Sequence, residues 1–220
     1  MIVERPPVVV AHGEAVREVP PEQALVHVRA ATSGRSREAV LERLAERAAA
    51  HGAVLDEFAA AIERRESEGL HVHPQTRRRT DEVRAHHGSV GTRVLVTDFT
   101  RLGDLLVRLA GEELTEVAGP YWRLRPGGRA GAEARRAAVT DALARAAEYA
   151  AAVGARVDRL VEINDAIPDE AAPIAFAAGS ARDGSGPGFA LEPELQIVRA
   201  RVRVTVTITE PVLPDRPGDA

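Results

Sequence analysis

Apolar and polar residues alternate without interruption over residues 196–208, near the end of the chain. From Val198 on, the even-numbered positions are apolar and the odd-numbered ones are arginine or threonine. Successive side chains of a β-strand point to opposite faces, so this period of two predicts a strand. We expect the apolar positions, Val204 among them, in a core and Arg199, Arg201 and Arg203 on the opposite face.

A second alternating run covers residues 23–32 and predicts a half-buried strand. It follows the extended run VVVAHGEAVREV across Pro20-Pro21, a pair that favours a tight connection. We therefore predict a hairpin between these two runs. Two longer extended runs follow at residues 54–73 and 82–98, and the residues between them predict a chain reversal.

Apolar residues at intervals of three and four predict three helices. The first begins after Ser36, a residue type that caps helices, and ends at Gly52, which can form a left-handed stop. Its expected buried face consists of Val40, Leu41, Leu44, Ala45 and Ala48. The second helix is short, ends at Gly111 and is expected to bury Leu102, Leu105, Leu106 and Leu109.

The third predicted helix lies within residues 126–154, ends at Gly154 and is rich in alanine. We expect Asp141 and Arg145 to pair one turn apart on its polar side. Because alanine gives a slim helix, this one can lie close to a sheet. Its expected apolar face consists of Val139, Leu143, Ala146, Ala150 and Val153.

The remaining segments are two strands, a loop and a tail. Residues 114–125 predict a strand that contains the only tryptophan, and Pro120 indicates a bulge or a sheet edge there. Residues 157–163 predict another strand. Residues 165–193 are rich in Gly, Ser, Pro and Ala without a period, which predicts a mobile loop, and residues 210–220 form a C-terminal tail.

Together these elements predict an α+β fold with largely antiparallel sheets, two long helices and one short helix. The order strand, helix, strand, strand occurs in residues 22–98 and again in 114–209, which suggests a βαββ pseudo-repeat. We expect one domain over residues 8–209, with sub-halves 8–98 and 99–209.

Composition makes several classes of protein improbable. The chain has no cysteine, which removes disulfides and cysteine-type metal sites. The net charge of −4 and an aromatic content of 3% predict no nucleic-acid partner. No apolar run approaches the roughly 20 residues of a membrane-spanning helix. The N-terminus shows no signal-peptide pattern, so we expect a cytoplasmic protein.

Four of the seven histidines lie in residues 69–88 and raise the question of a metal site. On a strand, His71 and His73 share a face as two metal ligands do, whereas His86 and His87 are adjacent and point oppositely. The metal candidates are therefore His71, His73 and His86. The alternative is the solvated face of a hairpin near its tip, which the absence of an H-E-x-x-H helix favours.

Three other patterns match catalytic or binding motifs incompletely. The glycines of residues 127–131 precede a helix, where phosphate can bind, but they lack the spacing of a dinucleotide loop. Ser185 has small neighbours but lies in a segment of linker composition. Glu162 and Asp165 could form an acid/base pair, although carboxylates at a strand end are usually solvated. We predict no catalytic residue and no cofactor.

Protein contacts have better candidates. Tyr121 and Trp122 are residue types that often dominate interfaces, but neighbours on a strand face opposite ways, so one of them should be buried. For Trp122 the alternative is packing in the core. The arginines 77–79 fit either a solvated hairpin tip or contact with an acidic patch on a neighbouring subunit. The row of Arg199, Arg201 and Arg203 is the third candidate interaction surface.

Four stretches together resemble the SIMPL domain family, a bacterial group of largely unassigned function. They are HGEAVREVPPEQALVHVRAAT, VLVTDFTRLGDLLVRLAG, AVTDALARAAEYAAAVGARVDRLVEI and LEPELQIVRARVRVTVTI. The resemblance implies an α+β fold and supplies no cofactor or catalytic residue. It also implies ring-like or channel-like oligomers for some members and export for most, whereas this chain begins almost directly at the first strand and has Glu22 where an aspartate is frequent.

We therefore expect a non-enzymatic binding or scaffold protein that forms homo-oligomers, or binds another protein, through its surface. Two alternatives stay open. The first is a metal-dependent protein or enzyme that uses the histidine-bearing hairpin 69–88. The second is a small-molecule carrier with an apolar pocket between helix and sheet.

Overall fold

The computed structural model describes residues 6–77, 80–165 and 191–212. Within them, seven strands in two antiparallel sheets and three α-helices confirm the predicted α+β class. The helices are α1 (Arg37–Glu57), α2 (Leu102–Ala110) and α3 (Arg129–Ala152), with short 3₁₀ turns at Ala59–Ala61 and Phe99–Arg101. The strands are β1 (Val8–Val19), β2 (Gln23–Gly34), β3 (Ile62–Arg77), β4 (Thr80–Val96), β5 (Thr115–Arg123), β6 (Val157–Asp165) and β7 (Gln196–Ile208).

One compact unit contains β1, α3, β6 and β7. The central strand is β7, which is antiparallel to β1 and to β6, and α3 covers one face of this sheet. The predicted faces of β7 are confirmed. Val202, Val204 and Val206 are buried in the core with α3, whereas the three arginines of β7 are exposed.

The buried face of α3 is a stripe of alanines at every fourth position. These residues are Ala134, Ala138, Ala142, Ala146 and Ala150, all fully buried. The prediction that Leu143 lies in this face is wrong, because the helix turns its smallest residues to the sheet and leaves Leu143 37% exposed. The predicted close approach is confirmed, since a Cβ on Gly13 of β1 would overlap the backbone of α3.

Hydrogen bonds hold one flank of α3 against β1. The predicted pair forms, with Arg145 Nε 3.0 Å from Asp141 Oδ2, and the backbone N–H of Glu14 donates to the same carboxylate oxygen at 3.0 Å. The Glu14 N–H and the Arg145 guanidinium both lower the pKa of Asp141. Leu143 stands two residues further along the helix and therefore lies on the opposite flank, toward β6.

The other unit contains β2 to β5 with α1 and α2. Its strand order is β3-β4-β2-β5, and both helices contribute to the core on one face. The leucine stripe of α2 and the helix end at Gly111 are confirmed. The predicted cap of α1 is confirmed too, because Ser36 Oγ accepts a hydrogen bond from the N–H of Ala39 at 3.2 Å. No helix among the described residues combines the length and apolar character needed to cross a bilayer.

The predicted hairpin across Pro20-Pro21 is wrong. Strand β1 pairs along its full length with β7, and β2 lies between β4 and β5. Both edges of β2 are therefore occupied by other strands. The hairpin of β3 and β4 forms as predicted, and its last paired residues are Arg77 and Thr80.

The first helix is longer than predicted. It continues through Gly52 to Glu57, so the extended run expected from residue 54 begins only at Ile62. Val54 and Leu55 extend the buried face of Val40 and Leu44 at helical spacing, and this burial outweighs the cost of a glycine inside the helix. The predicted face is partly wrong, because Ala45 and Ala48 are exposed.

The edge position predicted from Pro120 is confirmed, since β5 is the last strand of its sheet and its register with β2 shifts between Leu25 and His27. The grouping of strands differs from the sub-halves 8–98 and 99–209, because β1 joins β6 and β7. Each unit instead contains one βαββ set: β1, α3, β6 and β7 in one, and β2, α1, β3 and β4 in the other. Most of the predicted loop 165–193, with Ser185, and most of the tail 210–220 lie outside the described residues.

Candidate functional site

The most prominent candidate surface is the face of the β1-β7-β6 sheet opposite α3, which we call the open face. Its centre is the row of Arg199, Arg201 and Arg203 on β7, all exposed. Large apolar side chains lie around this row and are 48–54% exposed; they are Val8, Val10 and Val16 on β1 and Ile197 on β7. Scattered exposed apolar residues are ordinary, but several on one sheet face are typical of a protein-binding surface.

The open face carries both signs of charge. Arg201 faces Glu14 of β1, with a guanidinium nitrogen 3.3 Å from the carboxylate. Arg203 lies 3.9 Å from Glu162 of β6. These side chains are about half exposed, and ion pairs in such positions contribute little to stability. A partner can therefore bind these charged side chains with little loss of folding stability.

The strand β6 forms one edge of this sheet, and all nine of its residues are exposed. The apolar side chains of Leu160, Val161 and Ile163 are 46–55% exposed. The predicted acid/base pair does not assemble on this strand. Glu162 is the partner of Thr205 and Asp165 of the buried Val202, so the two carboxylates point to opposite faces.

Tyr121 and Trp122 separate as neighbours on a strand must. Trp122 is half-buried, packs against the core and meets Phe99 edge-on, with ring centroids 5.0 Å apart. Tyr121 is 52% exposed and makes an edge contact with His27. Of the two, Tyr121 is the residue that a partner could reach.

The histidines of the β3-β4 hairpin do not gather around a common point. His73 stacks on His87, with ring centroids 5.9 Å apart, and His87 Nε2 lies 2.9 Å from the side-chain oxygen of Gln75. His71 is paired with Ser89, and the ring of His86 makes no hydrogen bond through its buried Nδ1. In the described part of the chain, no group of three or more histidines and carboxylates has the arrangement of a metal site. The predicted candidates Arg78 and Arg79 lie outside that part.

The glycines before α3 form a turn. Gly127 has a φ of +72°, which favours glycine, and Gly128 is the N-cap of the helix without a side-chain hydrogen bond. This geometry matches a strand-to-helix connection.

A buried histidine outside the predicted sites is His51 of α1, which is 3% exposed. Thr115 Oγ1 donates to the carbonyl of Glu113 at 3.1 Å, so it accepts a hydrogen bond from His51 Nε2 at 2.7 Å. Burial lowers the pKa of His51, with Arg47 adding to the shift and Glu112 opposing it. The fold therefore favours the neutral form of this imidazole.

Replacing His51 by glutamine should reduce the dependence of stability on pH. A histidine with a lowered pKa in the folded state is protonated first in the unfolded chain, so stability falls as pH drops from about 6.5 to the lowered value. Glutamine cannot titrate and can still donate to Thr115. We expect urea unfolding of wild type at about pH 8 and about pH 5.5 to differ more than that of His51→Gln. If exposed His12→Gln removes the same part of the difference, His51 is not its source.

The architecture defines an α+β protein in which two antiparallel sheets each carry helices on one face. Residues 9–208 match the model of the SIMPL family, described as protein of unknown function (DUF541). The chain belongs to the SIMPL family, which confirms the resemblance of its four stretches. Comparison with curated proteins finds no match.

Proposed function

We propose that this SIMPL protein is a non-enzymatic binding or scaffold protein that associates with further copies of itself through the open face. One observation carries the proposal: a sheet face that no helix covers in the described part of the chain combines half-exposed valines and isoleucine with a row of arginines. Interfaces enrich arginine and large apolar residues in this way.

Charge complementarity favours a second copy as the occupant. The open face presents arginines in its middle strand and carboxylates, Glu14 and Glu162, on the strands to either side. In a dimer with two-fold symmetry, the open face of one copy packs against the open face of the other. The arginines of one copy can therefore meet the carboxylates of the other. Two sheets that pack face to face bury the apolar residues between these charges.

Replacing Arg201 by glutamate should weaken self-association and leave the fold intact. The new carboxylate lies beside Glu14 and repels the Glu14 carboxylate of a second copy. A substitution at an exposed position changes the free energy of unfolding by only about 0.5 kcal/mol. Sedimentation velocity over a range of concentrations should show a concentration-dependent oligomer for wild type and a shift to smaller species for the variant, with an unchanged melting temperature.

The matched control is Arg136→Glu, which makes the same change of net charge on the exposed side of α3. It should assemble like wild type. A wild-type protein that remains monomeric at high concentration would refute the proposal. Equal loss of assembly in both variants would show that net charge, and not the open face, controls association.

A further inference from the structure

We propose that the unit of β2 to β5 binds the phosphate group of a small molecule in a cleft at the end of β2. The cleft has a volume of about 570 Å³, within the usual range of ligand sites. It lies where β5 has left the sheet: the ladder between β2 and β5 ends at Ala30 and Thr115, followed by one bond from the N–H of Ala31 to Leu114. Polar and apolar atoms contribute about equally to the lining, and the cleft is open to solvent.

The charged side chains that line the cleft are both positive. Arg29 of β2 and Arg43 of α1 line it, and no aspartate or glutamate is among its lining residues in the described chain. The two guanidinium groups make the cleft locally positive, although the whole chain has a net charge of −4. Such a site attracts an anion, and guanidinium groups are the side chains best suited to bind phosphate oxygens.

Both guanidinium groups are positioned by hydroxyls. Arg29 donates to Ser89 Oγ at 2.8 Å, and Ser89 is only 6% exposed, so this bond fixes the arginine against a buried partner. Arg43 donates to Thr32 Oγ1 at 3.5 Å. The counter-ion of Arg29 is Glu116 at 3.6 Å, a pair in which both side chains are more than half exposed. Most donors of the two arginines therefore remain available to a ligand.

The remaining lining includes two histidines and the end of β2. His73 and His87 lie on the β3-β4 side of the cleft. Along β2, every second residue directs its N–H group to the same neighbouring strand. The N–H of Ala31 donates to Leu114 beside β5, so the N–H of Ser33, two residues further on, points to the same side, where β5 has ended. A tetrahedral phosphate accepts hydrogen bonds from several directions, whereas a flat carboxylate is served by one guanidinium fork. This arrangement therefore favours a phosphate monoester over a carboxylate.

The test is a titration of the full chain with phenyl phosphate, followed by amide NMR shifts. We expect saturable shifts at Ser33, Gly88 and Ser89, with weaker binding of inorganic phosphate and of benzoate. Arg43→Gln, at an exposed position, should weaken phenyl phosphate binding about tenfold without a change in melting temperature. Ser89→Ala should also weaken it, because Arg29 loses its buried partner.

The control is Arg37→Gln, which removes the same charge from an exposed position of the same helix outside the cleft. It should bind phenyl phosphate within about twofold of wild type, well below the tenfold loss of one charged hydrogen bond. Shifts that do not saturate or that map elsewhere, equal weakening by Arg37→Gln, or benzoate binding as tight as that of phenyl phosphate would each overturn the proposal. The cleft and the open face belong to different units, so either proposal can fail alone.

Discussion

Val204→Asp is expected to prevent the protein from folding. Val204 is fully buried in the middle of β7, between Ala11 of β1 and Ile163 of β6, and belongs to the core that packs on α3. Among the described residues of this core, an aspartate at position 204 would have no cationic partner. Burying it costs several kcal/mol even after it takes up a proton, a large part of a total stability of roughly 5–15 kcal/mol.

Circular dichroism and gel filtration should show loss of the cooperative transition and aggregated or unfolded protein for Val204→Asp. Arg201→Glu places a carboxylate on the same strand but on the exposed face, so it is the matched control and should melt like wild type. A stable Val204→Asp beside a melted Arg201→Glu would mean that the faces of β7 are the reverse of those described.

Elements with an uninterrupted period were predictable from the sequence. The alternation of β7 places valines in the core and arginines in solvent, and the four leucines of α2 recur at helical spacing and are all buried. In both cases burial and local propensity favour the same conformation, so no distant contact is needed to choose between alternatives.

Strand pairing was not predictable, because it depends on residues far apart in the chain. Nothing local in VVVAHGEAVREV distinguishes a hairpin with β2 from the observed ladder with β7, almost 190 residues later. The predicted face of α3 was wrong only at Leu143, for a related reason. Ala146 and Ala150 are buried as expected and Val139 and Val153 pack beside them, but the backbone of β1 comes so close that only alanines fit directly between helix and sheet.

The candidate sites differ in the same way, because one follows from a local pattern and the other depends on residues far apart in the chain. The arginine row of the open face follows from the period of one strand and was predicted. The phosphate cleft combines Arg29, Arg43, His73 and Ser89 from three strands and a helix, and no spacing along the chain links them. His51 was missed because the helix was expected to end at Gly52. Since α1 continues to Glu57, His51 lies seven residues after Leu44 and four before Leu55, a spacing that places it on the buried face.

Gly13→Ala is expected to destabilise the unit of β1, α3, β6 and β7 strongly. The added methyl would overlap the carbonyl oxygen of Ala138 and the backbone nitrogen of Ala142, and would lie 2.8 Å from the Ala142 Cβ. These atoms belong to a helix backbone and cannot rotate away as a flexible side chain would. The helix must move off the sheet, which opens gaps along the whole alanine stripe. We expect a loss of about 3 kcal/mol or more in urea unfolding, the upper range for overpacking.

Gly52→Ala is the matched control for this substitution. Gly52 lies inside α1, and a Cβ there would meet no atom within 4 Å. Since alanine favours a helix over glycine by about 0.5–1 kcal/mol, this variant should be more stable than wild type. Adding a methyl group is thus expected to lower stability at Gly13 and to raise it at Gly52. A Gly13→Ala protein as stable as wild type would show that α3 does not lie directly against β1. The alanines of α3 would then be explained by their helix propensity and not by a need for small side chains at a close contact.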